Sequence, residues 1–135
     1  MSKYEPYAYA LLRIMAGLMF AIHGSQKLLG WPASNMHPPL LSSGGIGGII
    51  ELVAGLLIAL GLFASWPAFI ASGEMAVAYF WKHAPGGWNP VANKGEAAVL
   101  YCFLFLYIWT RGSGVLSLDN LLRRNRTGAS ASRRR

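Results

Sequence analysis

The chain has 135 residues, of which 54% are hydrophobic and only 13% are charged, and its formal net charge is +7 at pH 7. The length excludes a large multidomain protein, and the single cysteine excludes an internal disulfide and a Cys-x-x-Cys redox pair. Charged residues are about half as frequent as in a typical soluble domain. We therefore predict a membrane protein, with an apolar soluble helical bundle as the alternative.

The first predicted helix, Tyr7–Leu29, is long enough to cross a bilayer, because 23 residues rise about 34 Å. Its surface is apolar except for one edge that covers roughly a third of the circumference. That edge comprises Arg13, Gly17, Phe20, His23, Gly24 and Lys27. It combines cations, a titratable imidazole and gaps left by glycine, so the later helices are expected to supply acidic partners.

The second and third predicted helices each carry one central glutamate. A loop rich in Gly, Pro and Ser separates the first helix from the second, which is predicted at about Gly45–Ala64. Glu51 lies on its Gly47 and Gly55 face, where small residues let another helix approach closely. The third helix follows a tight turn and ends near Trp81, with Glu74 in its middle.

The fourth predicted helix, about Gly95–Thr110, begins with Glu96 in its first turn, where favourable capping is an equally good explanation of an acid. Short links make consecutive helices antiparallel neighbours. The predicted fold is thus all-α, an integral membrane antiparallel four-helix bundle over residues 1–119. Residues 120–135 are predicted to be a basic, disordered cytoplasmic tail.

Six ionisable residues form a predicted buried polar cluster: Arg13, His23, Lys27, Glu51, Glu74 and Glu96. Charges inside a membrane are costly, at about 2.5–3.5 kcal/mol each, so they are expected to pair. Counting depth along each helix pairs Arg13 with Glu74 as a structural contact and His23 with Glu51 as a functional one. Arg13 reaching Glu51 is an alternative, and a network that only fixes helix order is another.

The distribution of cations predicts the orientation. If both termini are cytoplasmic, Lys3, Arg111 and six tail arginines lie inside, against Lys27, Lys82 and Lys94 outside. Eight against three obeys the positive-inside rule of a cytoplasmic (inner) membrane protein with several crossings. The tail is expected to contact anionic lipid headgroups, and nucleic acid is not expected as a partner.

The motifs resemble the DoxX family of small four-helix membrane proteins. The match consists of an early Arg13 followed by His23-Gly24-x-x-Lys27-Leu28, then Gly47-x-x-x-Glu51-x-x-x-Gly55, His83, Asn93-x-Gly95-Glu96 and Gly112-x-Gly114-x-x-Ser117-x-Asp119. The resemblance covers roughly residues 8–119. The Arg-rich tail and the long first loop depart from the family pattern, and Glu74 has no clear place in it.

The resemblance implies membrane residence and an association with redox chemistry, in which some relatives pass electrons to quinone. Three functions follow: a membrane subunit or anchor of a redox complex with soluble partners, a quinone-site oxidoreductase in its own right, or a carrier for a small lipophilic molecule. No intrinsic cofactor motif is evident, and quinone is the ligand to consider. His23, His37 and His83 lack metal-ligand spacing, so no metal site is predicted. A homo-oligomer is left open, and Cys102 is predicted to be an inert buried thiol.

Overall fold

The computed structural model describes residues 2–33, 35 and 37–132, and the side chains of residues 3–33, 35 and 37–126 among them. This part of the chain is all-helical and contains no strand. Its five α-helices are α1 (Glu5–Leu29), α2 (Ser43–Leu60), α3 (Ser65–Ala78), α4 (Glu96–Arg111) and α5 (Leu118–Ser132). The helical path of α3 continues through a π-helical turn at Tyr79–His83 and a 3-10 turn at Ala84–Gly86, which lengthens it to 22 residues.

Glycines bring α1 and α2 into backbone contact. A Cβ atom on Gly17 would lie 2.5 Å from the Ala59 nitrogen and 2.6 Å from the Gly55 carbonyl oxygen. Further along α1, Gly24 faces the backbone of Gly48 and Leu52 in the same way. The partner positions descend as the α1 positions rise, so the two helices run in opposite directions. Small residues at this spacing permit the close approach that stabilises helix pairs in membranes.

Aromatic and small side chains fill the space between α1, α3 and α4. Phe20 of α1 packs against Phe105 of α4, with 4.7 Å between ring centroids. Phe69 near the start of α3 contacts Trp109 near the end of α4, and the Ser72 hydroxyl donates to the Cys102 carbonyl at 2.8 Å. These contacts also run in opposite order along α3 and α4. Ala54 and Ile58 of α2 are buried in the same cluster, so all four helices contribute small residues or large apolar side chains to the core.

Hydrogen bonds at one end of the molecule join the α2–α3 turn to the segment around the start of α5. The Phe63 amide and the Ser113 hydroxyl both donate to Asp119 Oδ2, at 2.9 and 2.6 Å. The Asp119 amide donates to the Gly61 carbonyl, and the buried Ser117 hydroxyl accepts from the Asn120 amide at the start of α5. We call Gly61, Phe63, Ser113, Ser117 and Asp119 the turn cluster.

The structure places Leu118–Ser132 in α5, whereas the sequence predicted a disordered tail from residue 120. The average composition of the tail is polar, but Leu118, Leu121 and Leu122 recur at helical spacing and Asp119 lies in the first turn, where it suits the helix dipole. The prediction used the composition of the whole tail, which does not reveal that its first residues form an amphipathic helix. Arg133, Arg134 and Arg135 lie outside the described residues.

The outward surfaces of the helices are strongly apolar. Exposed side chains on α1 and α4 include Leu11, Met15, Leu100 and Phe103. By length and hydropathy, α1 and α2 qualify as candidate membrane spans, which alone would be weak evidence because buried core helices can pass the same test. So many exposed large apolar side chains are unusual for a soluble monomer, and a bilayer would cover them.

Candidate functional site

A cavity of about 470 Å³ lies between α2 and α3, at the end of the molecule opposite the turn cluster. Most of its wall is apolar, but three ionisable residues line it together: Lys27, Glu51 and Glu74. The apolar lining includes Ile46, Ile50, Ile70, Met75, Val77 and Trp81. Its volume is within the range of small-molecule sites, which are mostly apolar with a few convergent polar groups.

Lys27 and Glu51 form an ion pair inside this cavity, with 2.6 Å between Nζ and Oε1. The Glu51 side chain is 5% exposed and that of Lys27 is 22% exposed, so the carboxylate is the deeper member. The second carboxylate oxygen, Oε2 of Glu51, is buried and has no hydrogen-bond partner in the described part of the chain. A buried polar atom of this kind is costly unless something donates to it.

Glu74 approaches the same place from α3, and Gly47 makes the room for it. A Cβ atom on Gly47 would lie 2.8 Å from Glu74 Oε1 and 3.9 Å from Lys27 Nζ. Glu74 Oε2, like Glu51 Oε2, is buried and lacks a partner within the described residues. Two carboxyl groups therefore line the cavity beside one ammonium group, which pairs with Glu51, and each keeps one buried acceptor oxygen for a further donor.

This arrangement can bind a molecule that is mostly apolar and has a hydrogen-bonding end. The free carboxyl oxygens accept hydrogen bonds from hydroxyl or amine groups, and they can take up protons from them. The Lys27 ammonium group carries three donors, of which Glu51 accepts one, so it can also donate to a carbonyl oxygen. The apolar wall suits a ring system or an alkyl chain.

The predicted contact between Arg13 and Glu74 is wrong. Arg13 is 0% exposed and binds backbone: its Nη1 atom donates to the carbonyls of Ile58 and Ala59 at 2.5 and 2.7 Å, and Nη2 to Leu116 at 2.9 Å. The last carbonyl groups of a helix have no partner within the helix, so the end of α2 offers acceptors that a count of acidic residues overlooks. Arg13 thus belongs with the turn cluster.

His23 and Glu96 are exposed, so the prediction of one buried cluster fails for both of them, and Lys27 replaces His23 as the partner of Glu51. His23 lies about 80° from Arg13 around α1, at the margin of the polar edge, where the side chain leaves the helix interface. Glu96 begins α4 at the rim of the molecule. The structure therefore brings together three of the six predicted residues.

Two contributions to the cavity were missed from sequence. The role of Gly47 was read as helix packing, whereas its missing side chain accommodates Glu74. Trp81 was read as the end of a helix, although the π-helical turn carries it into the cavity wall. The spacing of Gly47 and Glu51 by four residues was the available signal, because it puts both on the helix face that meets α3. Within the described residues, no group of three or more His, Cys, Asp or Glu side chains could hold a metal ion.

Helices with apolar outward faces, and a mostly apolar cavity that holds three ionisable side chains, are the features of a small membrane protein. The DoxX family model matches residues 8–84, more than half of the chain, and the chain belongs to the DoxX family. A Haemophilus influenzae protein described as uncharacterized is 44% identical over 129 residues, which cover 89% of this chain and 94% of the relative. A second such protein of that organism is 30% identical over 74 residues, 55% of this chain and 49% of the relative. No solved structure matches.

Proposed function

We propose that the chain is a cytoplasmic-membrane protein that crosses the bilayer four times, through α1, α2, α3 with its continuation, and α4. Both termini are then cytoplasmic, and the turn cluster lies at the cytoplasmic end while the cavity opens toward the outer half. The positive-inside rule supports this orientation, because Arg111 and the arginines of α5 lie at the turn-cluster end. The even number of crossings agrees with the antiparallel contacts of consecutive helices.

We further propose that the cavity binds the head of a quinone or quinol and that the protein is the membrane subunit of a redox complex. The observation that carries this proposal is the pair of unpartnered carboxyl oxygens of Glu51 and Glu74 inside an apolar cavity. A quinol head combines two hydroxyl donors with a flat apolar ring. The family resemblance adds the association with quinone-linked oxidation.

Each polar residue has a separate task in this proposal. Glu74 and Glu51 accept hydrogen bonds from the ligand hydroxyl groups and receive their protons on oxidation. Lys27 holds Glu51 in place through the 2.6 Å ion pair and can donate to a ligand carbonyl oxygen. The ligand supplies the electron-transfer chemistry when bound, and soluble partners at the membrane are the proposed source or acceptor of the electrons.

A carrier or binding module for a lipophilic amine is the second candidate. Two carboxyl groups face one ammonium group in the cavity, so an additional cation would balance the charge if both are ionised. Quinone and amine ligands differ in how they depend on Lys27. Replacing Lys27 by Met should weaken a quinone that uses its donor, whereas it should strengthen binding of an organic cation.

Quinone extraction tests the main proposal. The full chain is purified in mild detergent, and bound quinone is extracted and quantified by mass spectrometry per mole of protein. We expect Glu51→Gln and Glu74→Gln to reduce the quinone content at least several-fold, because an amide cannot accept the proton and places a donor where an acceptor is needed.

Glu96→Gln is the matched control, since it makes the same chemical change at an exposed carboxylate outside the cavity. It should retain the quinone content of the parent. Equal quinone content in the parent, the cavity variants and the control would contradict the proposed site. Binding of a lipophilic amine that increases in Lys27→Met would favour the carrier instead.

A further inference from the structure

The start of α5 carries an apolar strip that nothing in the described chain covers. Leu118, Leu121 and Leu122 are exposed, and at 100° per residue they lie within an arc of about 100°. A short helix with one apolar strip is stable when that strip is buried against another apolar surface. The strip is too small for a stable protein interface by itself, and it lies at the end of a membrane protein.

The remaining sides of α5 are strongly cationic. Arg123, Arg124 and Arg126 have exposed side chains. Asp119, the acid in the first turn of the helix, is engaged by the Phe63 amide and the Ser113 hydroxyl, so its charge is directed into the turn cluster. The outward charge of this helix is therefore positive, which complements a surface of anionic phosphates.

Exposed aromatic side chains adjoin the start of α5. Phe63 is 69% exposed and Trp66 is 72% exposed, and both line a cavity of about 720 Å³ together with Arg111 and Arg123. Tryptophan is enriched at the level of lipid headgroups, where an amphipathic ring meets both apolar and polar surroundings. This end of the molecule thus combines interfacial rings, an apolar strip and arginines at one level.

The turn cluster fixes where α5 begins. Ser117 caps the helix, Asp119 is tied to the α2–α3 turn, and Arg13 holds the Leu116 carbonyl. The first turn of α5 is therefore attached to the ends of the membrane-spanning helices. A helix anchored at that level can lie along the membrane surface, with the leucines toward the acyl chains.

We propose that α5 is an interfacial helix that binds anionic phospholipid on the cytoplasmic leaflet, with Leu118, Leu121 and Leu122 in the acyl boundary and Arg123, Arg124 and Arg126 on the phosphate groups. We infer that the ligand is bilayer lipid and not nucleic acid. The phosphate backbone of a nucleic acid could bind the arginines, but it has no apolar surface on which the leucine side chains could be buried. This proposal concerns the opposite end of the molecule from the quinone cavity.

The depth of α5 is tested with single nitroxide labels on the full chain in lipid nanodiscs, in a Cys102→Ser background. Leu121→Cys and Arg123→Cys are a matched pair, because the two positions are about 160° apart around the helix. We expect the label at 121 to be accessible to oxygen dissolved in the lipid and the label at 123 to a water-soluble nickel chelate. Equal access of both labels to the nickel chelate would overturn the proposal.

Lipid selectivity is tested by co-purification from membranes that contain phosphatidylglycerol and phosphatidylcholine. The combined Arg123→Gln, Arg124→Gln and Arg126→Gln variant should lose enrichment of phosphatidylglycerol, roughly fivefold for each arginine removed. Lys94→Gln, which removes a cation from the opposite end, should not. Unchanged enrichment in the arginine variant, or arginine-dependent retention of nucleic acid by the parent, would contradict the proposal. Quinone content should be the same in all these variants, which separates the outcome from that of the cavity.

Discussion

Arg13 acts as a clamp between three parts of the chain that are far apart in sequence. Its guanidinium group reaches two carbonyls at the end of α2 and one in the loop before α5, all within a fully buried site. Hydrogen bonds that involve a charged group contribute about 1.5–3 kcal/mol each, and the acceptors lose their partners when the side chain is shortened. The residue is therefore assigned to stability and not to ligand binding.

Replacing Arg13 by Met should lower the free energy of unfolding by several kcal/mol, about 1.5–3 kcal/mol for each hydrogen bond to a charged donor that is lost. The measurement is the thermal midpoint of the detergent-solubilised protein, followed by size-exclusion chromatography. Arg111→Gln is the control, because Arg111 is partly exposed and pairs with Glu5 at the surface. A thermal midpoint of Arg13→Met equal to that of the control would show that the clamp is dispensable.

We expect the Cys102 thiol to be unreactive and to have no role in function. Its side chain is half-buried, and Ser72 packs against it while donating to its backbone carbonyl. The side chain packs against the buried core, which limits the access of reagents to the sulfur atom. We expect Cys102→Ser to retain the parental protein level and quinone content, measured side by side. Loss of quinone at an unchanged protein level would assign the thiol a function.

For the ionisable residues, the sequence predicted burial more successfully than it predicted which groups they contact. Glu51 was correctly expected to face protein, because glycines flank it at helical spacing. Its partner was not, since depth counted along straight helices cannot resolve Lys27 from His23, which are four residues apart. Arg13 was predicted to pair with a carboxylate because the sequence does not show which backbone carbonyls lack a partner at a helix end. Those acceptors can be identified only when the ends of the helices are known.

At the scale of the helices, the α1–α2 contact depends on glycine. Gly24→Ala would place a methyl group against the backbone of Gly48 and Leu52, where no flexible side chain can move away. Overpacking of this kind costs about 1–3 kcal/mol, and we expect a lower thermal midpoint and a smaller folded fraction. From the sequence, the glycine spacing of α2 predicted that another helix approaches closely, but it did not identify α1 as that helix.

Gly73→Ala is the control for that substitution, because a Cβ atom on Gly73 meets nothing within 4 Å. This variant should be as stable as the parent or slightly more stable, since alanine favours the helix over glycine. If both glycine variants lose the same stability, helix propensity and not the close approach of α1 and α2 would explain the result.

For the whole molecule, the orientation can be decided with a fused reporter. A reporter enzyme that is active only outside the cytoplasm, attached after Arg135, should be silent if the proposed orientation, which rests on the positive-inside rule, is correct. The same reporter inserted after Lys94 should be active, since the proposed topology puts the α3–α4 connection on the opposite side. Activity after Arg135 and silence after Lys94 would reverse the proposed topology.

The dependence of Arg13 on Leu116 has a consequence for synthesis. The cation enters with the first helix, but one of its three carbonyl partners is made 103 residues later. A nascent chain that has been synthesised only as far as α4 therefore lacks one of the three acceptors of this buried cation. We therefore expect the packing around Arg13 to be completed only when the segment after α4 has been made. Chains truncated before Leu116 would present an unfinished first helix to the quality-control proteases of the membrane.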